Sequence, residues 1–79
     1  MTTEQPAATF GLDGLKLPSF KKPIPRDDVV SVWAFFGHGD TRAFIAENHS
    51  MSVQKVSAIL SVPLPAEWRQ QAEQLRKKW

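Results

Sequence analysis

The spacing of apolar side chains predicts a helix that begins near Asp27 and ends near Gly37. Its apolar residues recur at intervals of three and four positions, which is the period of one helix face: Val29, Val32, Trp33 and Phe36. Asp27 or Asp28 is suited to the N-cap, because a carboxylate accepts a hydrogen bond from an unpaired amide at the positive end of the helix dipole. Gly37 and Gly39 favour termination at the other end.

Two shorter helices are predicted next, joined by a tight turn. Asp40 or Thr41 is suited to cap the first of them, which runs through RAFIAEN to about Asn48. The second begins after Ser50 or Ser52. Its apolar positions again have helical spacing: Val53, Val56, Ile59 and Leu60.

A fourth, amphipathic helix is predicted after Pro63 and Pro65, which break the chain. Its apolar residues form one narrow stripe, and polar or charged residues occupy the other faces: Trp68, Ala72, Leu75 and Trp79. Two interpretations of this stripe remain open. It packs on the preceding helices of the same chain, or it forms the seam of a homodimer.

The first 25 residues hold four of the six prolines and favour extended backbone. They are predicted to be an extended or disordered tail, although apolar residues are spaced through it. Those residues either fold back over the core or belong to an extended arm that offers cations to phosphate or an apolar anchor to a protein. The predicted fold class is therefore all-α, with a tail (1–25), a three-helix core (26–62), and a proline linker with the C-terminal helix (63–79).

Composition narrows the function classes. The chain has 79 residues, enough for one small domain, and a formal net charge of +2, which does not by itself indicate a nucleic-acid partner. Cysteine is absent, and His38 and His49 have no partners at metal-ligand spacing. No catalytic constellation or phosphate loop is present, so neither an enzyme nor a metal or cofactor is predicted. The chain has no signal peptide or membrane-spanning run, which predicts a cytoplasmic location.

The stretch IAENHSMSVQKVSAIL, residues 45–60, resembles the helix-turn-helix of bacterial and phage repressors. This stretch and the helix before it, about residues 27–61, together resemble the three-helix, homeodomain-like version of the motif. The positions that carry it are an aliphatic–small pair, an aliphatic residue in the turn, a capping serine, and two buried aliphatic residues: Ile45, Ala46, Met51, Ser52, Val56 and Ile59. The resemblance implies a three-helix helix-turn-helix core, and the apolar spacing after Pro65 adds the fourth helix.

Two positions depart from the family's pattern. Ser50 stands where the turn usually has glycine, a residue that readily adopts positive φ. His49 stands where leucine is usual. A turn that retains the family's geometry would therefore need Ser50 in the left-handed conformation and His49 partly buried.

The resemblance implies sequence-specific binding of double-stranded DNA, with the third helix (about 52–61) in the major groove. Gln54 suits adenine, Lys55 guanine or phosphate, and Val53 a thymine methyl group. The candidate DNA contacts are Arg42, Ser52, Val53, Gln54, Lys55, Ser57, Ala58 and Ser61. The candidate arm contacts are Lys16, Lys21, Lys22 and Arg26.

The function predicted on this basis is that of a small bacterial, phage or plasmid transcriptional regulator. The alternative is a small helical protein-interaction module. Such a module would act as an adaptor or inhibitor of a larger replication, transcription or packaging machine, and would dock through its N-terminal tail.

Overall fold

The computed structural model describes residues 9–11, 14–18 and 20–79. This part of the chain is mostly helical, as predicted, and it also contains a small antiparallel hairpin that the sequence pattern did not predict. The elements in chain order are β1 (Thr9–Gly11), β2 (Gly14–Lys16), α1 (Arg26–His38), α2 (Arg42–Asn48), α3 (Val53–Leu60) and α4 (Ala66–Lys77).

Part of the segment predicted to be a tail belongs to the core. Leu15 and Ile24 exchange two backbone hydrogen bonds of 2.8 Å, so the chain after β2 turns back and pairs with it. The side chains of Leu15, Leu17 and Ile24 are buried. The prediction of an extended tail over residues 1–25 is therefore wrong for residues 14–17 and 24, where the fold-back alternative holds. Residues 1–8 lie outside the described residues.

Gly14 permits this pairing. Its φ is 127°, and a Cβ atom built on it would lie 1.9 Å from the carbonyl oxygen of Ile24. Any other residue would force the hairpin away from the strand-like segment at Ile24. The close approach thus depends on the absence of a side chain at this position.

Helix α1 begins two or three residues earlier than an N-cap at Asp27 or Asp28 would place it. Pro25 occupies the N-cap position and no side chain caps the helix, so the prediction that Asp27 or Asp28 is the N-cap is wrong. Because Ile24 is held in extended pairing with Leu15, the chain passes directly through Pro25 into the helix. Asp27 and Asp28 lie instead in the first turn, where their charges favour the helix dipole.

Helix α1 is covered on more than one side, since it packs against α2, α3, α4 and β2. Val29 and Val32 are fully buried as their spacing predicted, and Val30 and Ala34 are buried as well. Phe36, which was predicted on the buried face, is 41% exposed because it lies near the end of the helix. The buried core consists of Leu15, Leu17, Ile24, Val29, Val30, Val32, Ala34, Ile45, Ala46, Val56, Ile59, Leu64, Trp68 and Ala72.

The apolar stripe of α4 packs on α1 of the same chain. Trp68 and Ala72 are buried, and Trp68 lies under the guanidinium of Arg26 at 5.2 Å. At the other end, Nη1 of Arg76 donates a hydrogen bond of 3.0 Å to the carbonyl oxygen of Gly37. The starts of the two helices are therefore adjacent, as are their ends, so α1 and α4 run in the same direction. This packing occupies most of the stripe that was also considered as a dimer seam.

Replacing Leu15 by alanine tests whether the hairpin stabilises the domain. Leu15 is fully buried, so Leu15→Ala should lower the free energy of unfolding by about 2–5 kcal/mol. The neighbouring Lys16 is exposed, and Lys16→Ala should change the free energy of unfolding by less than about 0.5 kcal/mol. Urea denaturation followed by circular dichroism measures both. Equal stability of the two variants would mean that the hairpin does not contribute to the core.

Candidate DNA-contacting surface

The turn between α2 and α3 closes through backbone hydrogen bonds around Ser50. Ser50 has a φ of 54°, and among the described residues it alone combines positive φ with a side chain. The amide of Met51 donates to the carbonyl oxygen of Ala46 at 2.9 Å, and the amide of Ser50 to that of Glu47 at 3.4 Å. This is the Schellman pattern, which satisfies the last carbonyl groups of a helix. Ser50 thus adopts the left-handed conformation that glycine usually provides in such a turn.

His49 fastens this turn to α1. Its Nδ1–H donates to the carbonyl oxygen of Ile45 at 2.7 Å, so the neutral ring carries its hydrogen on Nδ1. Nε2 then accepts from the hydroxyl of Ser31 at 2.8 Å. The ring also lies edge-on to Phe35, with centroids 5.1 Å apart. The position usually held by leucine therefore has a half-buried side chain that makes two directional bonds, one of them to another helix.

Capping and burial orient α3. The hydroxyl oxygen of Ser52 accepts from the amide of Lys55 at 3.0 Å, and Thr41 caps α2 in the same way through the amide of Phe44 at 3.2 Å. Val56 and Ile59 are fully buried. Within the described residues, the elements that α3 contacts are α1 and α2, and neither α4 nor the hairpin covers it. The open part of its outward face is at the N-terminal end, where Val53 and Gln54 are exposed.

The predicted contact residues of α3 divide into two groups. Ser52, Val53 and Gln54 are exposed at its start, and Val53 has 46% of its surface accessible. Ser61 is exposed beyond its end, where its hydroxyl donates to the carbonyl oxygen of Ser57 at 2.8 Å. The remaining residues of the set are half-buried: Lys55, Ser57 and Ala58.

Ala58 packs against the core, so it is not turned outward as the sequence analysis expected. Since α3 has only eight residues and contacts both α1 and α2, its buried sector is wide. The open face is consequently narrower than predicted and centres on Val53 and Gln54.

The predicted cations lie in different parts of the molecule. The ammonium group of Lys55 lies 5.6 Å from the ring centroid of Phe20, so the loop carrying Phe20 lies beside α3. Lys21 and Lys22, both exposed, follow Phe20 directly. The contact between Phe20 and Lys55 was not predicted, because it depends on the fold-back of the chain. The exposed Lys16 lies on β2.

Two predicted cations are engaged with aromatic rings. The guanidinium of Arg42, at the start of α2, lies 5.5 Å from the ring centroid of Phe36. That of Arg26 lies over Trp68, and its Nε is buried with no hydrogen-bond partner among the described residues. Arg26 thus belongs to the α1–α4 packing, and the structure does not bring it to α3.

Comparisons with protein-family models, with curated proteins and with solved structures found no match to this chain. In the part of the chain that the structure describes, no helix has the length and apolar character needed to cross a membrane. Nor do three or more histidine, cysteine, aspartate or glutamate side chains gather there as metal ligands would.

Substitutions at Ser50 test the turn that positions α3. Ser50→Gly should leave the free energy of unfolding unchanged or raise it by up to about 1 kcal/mol, because glycine adopts positive φ without strain. Ser50→Val should lower it by about 1–2 kcal/mol, because left-handed backbone is unfavourable for a residue with a branched side chain.

The matched control is Ser61→Gly. Ser61 has ordinary helical φ of −84°, so glycine there should destabilise the protein by roughly 0.5 kcal/mol or more. Chemical denaturation measures the free energy of unfolding of the three variants and of the wild-type protein. If Ser50→Val were as stable as wild type, the turn would not depend on left-handed backbone.

Proposed function

We propose that the chain binds double-stranded DNA sequence-specifically, with the N-terminal half of α3 in the major groove. The observation that carries this proposal is the closed turn at Ser50 followed by a helix whose first residues, Val53 and Gln54, are exposed and uncovered by other elements. A major groove about 12 Å wide admits one α-helix. The proposed cellular role is that of a small bacterial, phage or plasmid transcriptional regulator in the cytoplasm.

The chemistry of the open face supports base recognition. The side-chain amide of Gln54 can donate to N7 and accept from N6 of one adenine, which is a bidentate contact. Val53 offers an apolar surface that fits the methyl group of thymine. Ser52 caps the helix through its oxygen, and its hydroxyl hydrogen remains available for a base edge or phosphate. In this arrangement Gln54 and Val53 specify sequence, and the surrounding groups fix the helix on the duplex.

Phosphate contacts come from few cations. Lys21 and Lys22 are exposed and directly follow Phe20, and the ammonium group of Lys55 on α3 lies near the Phe20 ring. Arg42, the first residue of α2, is exposed and contributes a further phosphate contact. Arg26 is excluded from this set because it belongs to the α1–α4 packing: its guanidinium lies over Trp68 of α4 and its Nε is buried. Ser57, in the second half of α3, and Ser61, just beyond its end, would make additional contacts with the DNA backbone.

The alternative of docking on a protein through the N-terminal tail has less support. Leu15, Leu17 and Ile24, the apolar residues that would serve as anchors, are turned into the core. The homodimer is not part of the proposal either, because Trp68 and Ala72 are buried against the same chain.

Selection of duplexes from a library with a random central region of about 15 base pairs tests the proposal. A defined site should be enriched, and Gln54→Ala should weaken binding to it by about 1–3 kcal/mol, or roughly 5- to 150-fold, through loss of the adenine contact. Gln70, exposed on α4, provides the matched control. Gln70→Ala should bind within about two-fold of wild type. Failure to enrich any site at low salt would contradict the proposal, as would equal losses in the two variants.

The salt dependence of binding measures the number of phosphates contacted. With contacts from Lys21, Lys22, Arg42 and Lys55, the slope of log K against log salt concentration should be about −3 to −4. The double variant Lys21→Ala/Lys22→Ala should reduce its magnitude by about 2 and weaken binding to all sequences alike. A wild-type slope steeper than about −6 would mean that many more cations approach the DNA than this surface provides.

A further inference from the structure

Four aromatic rings cluster at the end of α1. Two of them belong to α1, one to α2 and one to the chain just beyond α4, and they are called the aromatic patch here: Phe35, His38, Phe44 and Trp79. Phe35 lies at the centre, with its centroid 6.3 Å from that of Phe44 and 4.7 Å from that of Trp79. His38 adjoins Trp79 at 5.7 Å. Phe44 is 47% exposed and Trp79 is 48% exposed, although both are large apolar side chains. Contiguous apolar surface of this kind marks an interaction site more often than scattered exposed residues do.

The patch continues into a cleft between α1 and α4. This cleft has a volume of about 460 Å³, and Val30 and Leu75 contribute apolar surface to it. Ser31 lines the cleft and also binds His49, whose ring lies against Phe35. Lys78 lines it at the end next to Trp79. A partner seated on the patch can therefore extend along the cleft.

Cations predominate around the patch. Arg42 lies two positions before Phe44 on α2, and Arg76, Lys77 and Lys78 immediately precede Trp79. Acidic residues are fewer: Asp27 lines the cleft together with Lys78, and those nearest in sequence to the patch residues are Asp40, which is half-buried, and Glu47, which is exposed. A positively charged rim around apolar rings is complementary to a segment that carries both acidic and large apolar side chains.

We infer that the aromatic patch and the adjoining cleft bind an acidic segment of another protein that inserts large apolar side chains between Phe44 and Trp79. This surface is distinct from the open face of α3, although Arg42 borders both, and the inference does not depend on DNA binding there. Aromatic and arginine side chains are enriched among the residues that dominate protein interfaces, and both are present in this region.

Nucleic acid fits this surface less well. Contacts to duplex DNA are made chiefly by polar and cationic groups, so the exposed rings of Phe44 and Trp79 would gain little from it. Single strands stack their bases on open ring faces. Here the rings pack edge to face, at 74° for Phe35 with Trp79 and 89° for His38 with Trp79, so part of that ring surface is already covered.

Peptide phage display provides the test, with a random library of peptides of about 15 residues, or about four helical turns. Wild-type protein should enrich peptides that combine aspartate or glutamate with leucine, phenylalanine or tryptophan. The affinity of a synthesised enriched peptide should fall about 30-fold or more in the Phe44→Ser/Trp79→Ser double variant, because this variant lacks the central aromatic anchors. Val53→Ser removes an equally exposed apolar side chain from α3, and binding should remain within about two-fold of wild type.

Amide chemical shifts of the wild-type protein keep the test independent of the variants' stability. The winning peptide should shift the amides of Phe44, His49 and Trp79 and leave those of Val53 and Gln54 in place. The inference is overturned if no peptide is enriched, if the enriched peptides are not acidic, or if the shifts map to α3. It is also overturned if single-stranded oligothymidine shifts the patch amides and displaces the peptide.

Discussion

The burial of α1 on several sides is the constraint on which the rest of the structure depends. A chain of 79 residues buries only about 60% of the surface that its unfolded form exposes, so each contact layer contributes a large share of its stability. Helix α1 provides Val29 and Val32 to the centre of this core and contacts α2, α3, α4 and β2. Both the open face of α3 and the aromatic patch are positioned by elements that rest on α1.

Features set by nearby residues could be predicted from the sequence. The cap at Ser52, the burial of Val56 and Ile59, and the left-handed backbone at Ser50 each depend on spacing within a few positions. Such local rules hold wherever the helices come to lie. The start of α1 at Pro25 could not be predicted in this way, because it follows from the pairing of Ile24 with a residue nine positions earlier in the chain.

The sequence predicted that one face of α3 is exposed, but it predicted only part of the set of residues on that face. Helical spacing identifies which side of α3 faces the core, and Val53 and Gln54 are exposed as that spacing requires. Helical spacing does not reveal how wide the buried sector of α3 is. The half-burial of Ala58 could not be predicted, because it depends on how α1 and α2 pack against α3. Similarly, the sequence presents Lys22 and Arg26 as equivalent cations of one arm. In the structure, however, the guanidinium of Arg26 lies over Trp68, whereas Lys22 is exposed two positions after Phe20.

The parallel arrangement of α1 and α4 has an electrostatic consequence. Two helices that run in the same direction bring their partial negative charges together at one pole of the molecule, where the last carbonyl groups of each would repel the other. The guanidinium of Arg76 lies between them, since it extends from the last turn of α4 to the carbonyl oxygen of Gly37 in the last turn of α1. One side chain thus supplies a hydrogen-bond donor to an end-of-helix carbonyl and a countercharge to both helix termini, which allows the C-terminal helix to lie alongside α1 in parallel.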